Sequence, residues 1–338
     1  MKTGTVSPTD RRVVALGYLA TCAVVLITSA YPALTRLSVT TSLTPADVLL
    51  FRLGVSGLLF MPYLLRHARE IPKSDWLSAL PLSFLHGWGM AGCVVFGLQF
   101  APASHAAALG PGAIAAWIAL IGFLVYRIEV NSRKLSGIAI IVVGVVIILA
   151  ASYRGHSLAN ALIGDSMFLA ASALGATYLV YIQRRRLNPV LAAALVCVAS
   201  AMVVGPWHYF FATSAIASAS ATEIAWQLLF QGVIFGCCAF FALNYAVLAV
   251  GSQTVGVLSA LVPVVGALCA LLITRDTISG LEWIAIVAIS SGVAVACLPV
   301  RGKRPVAIIR ATAIATEPRG SKLVLGGVEI VRATGGLR

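Results

Sequence analysis

Chemistry in this 338-residue chain would have to come from a few polar side chains set in long apolar runs. Arg52 lies between Leu49–Leu50–Phe51 and Leu53, about 8 Å below the end of its segment if that segment is helical. A charge in such a place is expensive and points to function. It either attracts a carboxylate on a bound molecule or pairs with an acid such as Asp165; otherwise it snorkels toward Asp47 or headgroups. His86, with Trp88 beside it, can bind a ligand or relay protons; the plainer role is one hydrogen bond between packed helices. The other candidates are Tyr31, Tyr178, Gln99, Gln231 and Asn244, which helix packing explains nearly as well. His105, at the mouth of its segment, is expected to cap a helix.

Catalysis finds little support. The five histidines (His67, His86, His105, His156, His208) fall in different segments, and no zinc or nucleophile motif accompanies them. The seven cysteines all lie in apolar runs without metal-ligand spacing and read as small hydrophobes. Gly87–Trp88–Gly89–Met90–Ala91–Gly92 matches a dinucleotide fingerprint by letter. That motif needs a preceding strand, so close helix packing accounts for it better. No enzyme activity, metal or cofactor is expected.

Most of the candidates recur in pairs, although Arg52 falls opposite the apolar Val196. Phe96–Gly97–Leu98–Gln99–Phe100–Ala101 returns as Phe241–Ala242–Leu243–Asn244–Tyr245–Ala246, a shift of 145. An amide is costly to bury in an apolar run, so its return at one place is informative. Tyr31 recurs as Tyr178, His86–Gly87 as Gln231–Gly232, and Gly144 as Gly292. Pro45 and Pro62 recur as Pro189 and Pro206. The chain reads as one unit used twice.

The elements that carry these residues are membrane helices. The sequence is 60% apolar and 10% charged, against roughly 45–50% and 25% in soluble domains. Ten runs near bilayer length are predicted at 13–34, 47–66, 77–100, 103–126, 135–152, 163–183, 189–211, 224–246, 253–274 and 281–299. The first exceeds the core of a signal peptide and is read as an uncleaved helix. Lys and Arg gather in alternate connections (Arg66, Arg69, Lys73; Arg127, Arg133, Lys134; Arg184–Arg185–Arg186), leaving only Arg36, Arg154 and Arg275 opposite. This places both termini in the cytoplasm. The net charge of +13 is then a matter of topology, with no nucleic-acid partner.

The expected fold is therefore all-α integral membrane: ten transmembrane helices as two inverted five-helix repeats. Residues 1–12 form a cytoplasmic N-terminus, 13–152 the first repeat and 160–299 the second. Residues 300–338 form a basic cytoplasmic tail, either disordered or held on anionic lipid. Five spans is an odd number, so the second copy runs upside down, as in secondary transporters with a midplane site between the halves.

The pattern resembles the EamA-type permeases of the drug/metabolite transporter superfamily. The residues that carry the resemblance are Leu43–Thr44–Pro45 leading to Phe51–Arg52, and Ala101–Pro102–Ala103–Ser104–His105–Ala106–Ala107–Ala108 with Pro111. Later come Leu258–Ser259–Ala260–Leu261–Val262–Pro263 and Arg275–Asp276. The family's Gly-Glu pair after the fourth and ninth spans is replaced here by Arg127–Ile128–Glu129 and Arg275–Asp276, in a linker read as structural. The resemblance implies a bundle with a central cavity that moves small metabolites, often outward.

The expected function is thus a secondary transporter, an exporter of amino acids or related neutral or anionic compounds, in the cell (inner) membrane. It would work by alternating access. No Asp or Glu lies mid-span, which counts against proton/drug-cation antiport and leaves proton coupling open. The partners are the substrate and the lipid bilayer; oligomeric state is not readable. The competing reading is a membrane-embedded lipid-handling protein or enzyme, which would need a catalytic constellation at one depth.

Overall fold

In the computed structural model, the described residues are 11–127, 131–152, 158–185 and 187–298. All their regular structure is helical, in ten helices apolar and long enough to cross a membrane. They are α1 (Arg11–Thr41), α2 (Pro45–His67), α3 (Lys73–Gly97), α4 (Ala103–Tyr126) and α5 (Ser132–Ser152). The second set is α6 (Leu158–Arg185), α7 (Pro189–Phe211), α8 (Ala221–Val250), α9 (Thr254–Thr274) and α10 (Gly280–Cys297). Each overlaps its predicted run, and α1 extends well beyond it. The expected basic tail, 300–338, and residues 1–10 of the expected N-terminal segment lie outside the described residues.

The recurring residues mark helix ends. Pro45 and Pro189 both open a helix, where a missing N–H costs nothing. Thr44 and Asp47 form a capping box at α2, and Asn188 accepts the Val190 N–H (2.9 Å) at α7. α4 and α9 both stop at an arginine in the left-handed region, Arg127 (φ 49°) and Arg275 (φ 54°).

Packing repeats as well. α1 lies on α8 as α6 lies on α3; α4 meets α6 as α9 meets α1; α2 meets α8 as α7 meets α3. α5 packs on α10, α2 on α7 and α4 on α9, each against its own counterpart. The α5–α10 seam shows the relation atom by atom. A Cβ at Gly144 would stand 2.6 Å from Ile289 and 2.9 Å from the Ala285 carbonyl; one at Gly292 would stand 2.8 Å from Ile141 and 2.7 Å from the Gly137 carbonyl. Close backbone approach through small residues is how helices associate without a hydrophobic drive between them. The fold is two inverted five-helix repeats, and large apolar side chains such as Leu58, Phe211, Leu248 and Leu272 cover its exterior, as lipid contact requires.

Polar bonds between the repeats gather at one end. Among the described residues this end holds Arg36 beside Asp276 (Nε–Oδ1 3.7 Å) and the Ala103 N–H donating to Asp276 (2.9 Å). His208 bonds Asp47 (2.8 Å), as do Ser214 and the Ala215 N–H, while Ser42 donates to Glu223. At the opposite end the repeats share a Ser78–Tyr181 bond (2.8 Å).

Candidate functional site

The third helix of each repeat is irregular at the same depth. α3 consists of two segments, Lys73–His86 and Trp88–Gly97, parted at Gly87. α8 holds an 11-residue π-helical stretch, Leu228–Cys238, around Gly232. π turns are rare and concentrate at functional positions. Both glycines lie where a neighbouring helix crosses. A Cβ on Gly87 would fall 1.9 Å from Ser200 Oγ on α7, and one on Gly232 would fall 2.4 Å from Val55 Cβ on α2. The interruption in α3 leaves the first N–H groups of its second segment without helical acceptors.

Around these points the polar candidates form two aromatic groups. Tyr31 of α1 stacks on Phe235 of α8 (centroids 4.1 Å, 22° between planes). Arg52 of α2 reaches both rings, 4.8 Å from Tyr31 and 4.5 Å from Phe235, and donates to the Tyr31 hydroxyl. Across the seam Tyr178 of α6 stacks on His86 of α3 (4.2 Å, 10°). Three buried polar atoms near the α3 break have no hydrogen-bond partner: His86 Nδ1, Trp88 Nε1 and Ser200 Oγ. Buried polar atoms rarely stay unpaired without a reason.

Two expected alternatives for Arg52 are corrected here. Asp47 is engaged by His208, Ser214, Ala215 and Thr44, and Asp165 by His105 (2.9 Å). Among the described residues Arg52 pairs with no carboxylate; its partners are aromatic faces and a phenol. Cation–π contact accommodates a guanidinium while leaving most of its N–H groups available.

Comparison with known proteins agrees with the duplication. The EamA-like transporter family matches residues 15–150 and again 162–298. The chain belongs to the EamA-like transporter family. A crystal structure described only as that of a protein is similar at 18% identity, with a TM-score of 0.57 over 84% of this chain and 95% of its own; that likeness speaks to the fold alone. No curated protein matches the sequence.

Within this EamA-like chain, Tyr31 and Arg52 are brought to the π stretch of α8, and His86, Trp88 and Tyr178 to the break in α3. Gln231 follows them only partly: its amide donates to Thr35 (2.8 Å) while its Oε1 has no partner. Gln99 is exposed in the turn after α3, and Asn244 bonds its own helix at the Phe240 carbonyl (2.8 Å); neither joins the two aromatic groups. Sequence reasoning overlooked Phe235 and Ser200. Phe235 sits about one turn from Gln231, but an apolar ring and a small hydroxyl give no signal in such a chain. His105 is not the helix cap it was expected to be. Asp276 takes the α4 N-terminal amide, and the His105 ring bridges Asp165 and Glu282 (2.9 and 3.1 Å).

Proposed function

We propose that this protein is a secondary transporter that exports small carboxylate-bearing metabolites, amino acids first among them, by alternating access of its two repeats. The observation that carries this reading is the grouping of donors at the irregular stretches of α3 and α8. Arg52, over Tyr31 and Phe235 at the π stretch of α8, and the Trp88 indole N–H, the Ser200 hydroxyl and the freed backbone amides at the α3 break offer hydrogen-bond donors at the two irregular third helices. Donors without acceptors suit an anion, and a half-helix N-terminus adds partial positive charge. The unpartnered Gln231 Oε1, on the equivalent helix of the other repeat, supplies an acceptor suited to an ammonium group. The stacked pairs Tyr31–Phe235 and Tyr178–His86 give flat apolar faces for a side chain.

The Lys and Arg distribution puts the polar-bonded end on the outside and both termini in the cytoplasm. With that end held by cross-repeat bonds, the chain is in the inward-facing half of its cycle, ready to load from the cytoplasm. The test is uptake by inside-out proteoliposomes over a panel of labelled amino acids, their decarboxylated amines and their amides. Carboxylate-bearing members should be carried, the amines should not, and Arg52→Ala should abolish the difference. Equal transport of acids and amines by wild type would remove the donor cluster from substrate recognition.

A further inference from the structure

The outer polar end contains one group that carries more than a structural bond. His105 of α4 is 2% exposed and lies between two carboxylates from the other repeat: Nδ1 is 2.9 Å from Asp165 Oδ1 on α6, and Nε2 is 3.1 Å from Glu282 Oε1 on α10. A neutral imidazole has a single N–H, and a carboxylate only accepts. Two hydrogen bonds to two carboxylates therefore need two protons. One is the ring's own; the second must be taken from solution, whichever of the three groups carries it.

Asp276, in the α9–α10 turn, accepts the Ala103 N–H and is paired with Arg36 of α1, which also donates to the Ala101 and Leu98 carbonyls. Arg275 is exposed beside it. Among the described residues α3 and α5 bring no charged group to this end; Arg154 and His156, in the connection after α5, lie outside them. Glu282 also accepts the Ser279 N–H in its capping box, so its carboxylate is held in place while its other oxygen faces the ring.

We propose that Asp165, His105 and Glu282 form a proton-binding site whose occupation closes the outer end of the transporter, so that one proton is taken up on closing and released on opening. When the repeats part at this end the three groups are hydrated, and a hydrated imidazole is mostly neutral above about pH 6.5. The closed state then holds one more proton than the open state. By linkage, acid favours closed and alkali favours open. The site gives the cycle a means of exchanging substrate movement for proton movement. That last step rests on the transporter reading; the closure itself does not.

The test is electron-electron distance measurement on the full chain in lipid nanodiscs, with nitroxides at the exposed positions Thr41 and Thr277 and the seven native cysteines replaced. In wild type the short, closed distance should dominate at pH 6. The open-to-closed ratio should rise up to tenfold per pH unit between about 6.5 and 8.5, the slope of a single proton. Asp165→Asn should stay closed at every pH, because the amide can donate to one ring nitrogen while the other donates to Glu282. His105→Gln should also lose the pH slope, and by opening rather than closing. A pH-independent distance in wild type, or a slope retained in either variant, overturns the proposal. Failure of amino-acid flux with the slope intact would count against the substrate reading instead.

Discussion

Arg52 and Val196 occupy the same place in the two repeats, and their surroundings show how a duplicated fold can carry a charge on one side only. Both sit on the self-paired helices α2 and α7, and each neighbours a tyrosine from the first helix of a repeat, Tyr31 or Tyr178. Each tyrosine stacks on a ring from the third helix of the opposite repeat. On the Arg52 side that ring is Phe235, and the guanidinium lies over both faces. On the Val196 side the ring is His86, and Val196 is buried with Leu82 and Tyr178. The scaffold is symmetric while the charge is not. A symmetric pair of arginines would repel and would give a carboxylate no preferred pole.

That reading can be broken most sharply by restoring the symmetry. Val196→Arg places a second guanidinium in a site already filled by apolar neighbours. It should cost about 3 kcal/mol, the scale for a central arginine in a membrane helix, and be seen as lost yield and a lower melting temperature. A well-folded variant would mean that the Val196 side is open and polar, and that the asymmetry has little physical basis.

Next come the two glycines at which the irregular helices cross their neighbours. Gly87→Ala and Gly232→Ala each force a methyl into an occupied position and should destabilise by about 1–3 kcal/mol. Gly92→Ala, where a Cβ would meet nothing within 4 Å, should change melting little. Ser200→Gly should recover part of the Gly87→Ala loss, because it removes the atom that the new methyl meets. Equal melting of all three alanine variants would show that the crossings are loose.

How much of this was legible beforehand follows the same division between scaffold and detail. The ten helices and the inversion could be read because bilayer length, Pro45 and Pro189 at helix starts, and repeated Gly144 and Gly292 are local or periodic signals. Tyr31, Arg52, His86 and Tyr178 stood out because polarity is rare in such runs. The partners did not stand out. Asp165 was as reasonable a partner for Arg52 as for His105, because pairing depends on how each helix is rotated. A helix apolar on every face carries little rotational information in its pattern. The His105 bridge joins residues 60 and 177 positions apart, and no spacing rule reaches that far. The π stretch in α8 leaves no residue signature of its own.

The next contrast separates charge from shape at Arg52. Arg52→Lys keeps the positive charge but loses the planar face that rests on Tyr31 and Phe235 and the forked donors that suit a carboxylate. Transport of a carboxylate-bearing substrate should fall by roughly tenfold, against roughly 30-fold for Arg52→Ala, the range expected when a charged hydrogen bond is lost. If lysine restores wild-type flux, the aromatic sandwich is packing and only the charge is read.

The smallest effect is the most informative about the tyrosines. Tyr31→Phe keeps the stack on Phe235 and removes only the hydroxyl that accepts from Arg52. Tyr178→Phe makes the same change on the other side, where the ring stacks on His86 and, among the described residues, no hydrogen bond from its hydroxyl joins it to a charge. If Arg52 is steered by Tyr31, the first variant should raise the half-saturating substrate concentration by about three- to tenfold, worth roughly 1 kcal/mol. The second should leave it within a factor of about two. The maximal rate should move little in either, since a hydroxyl that orients the guanidinium acts on binding. Equal effects of the two variants would mean that substrate touches both tyrosines alike. The asymmetry of the site would then lie in the charge alone and not in how that charge is held.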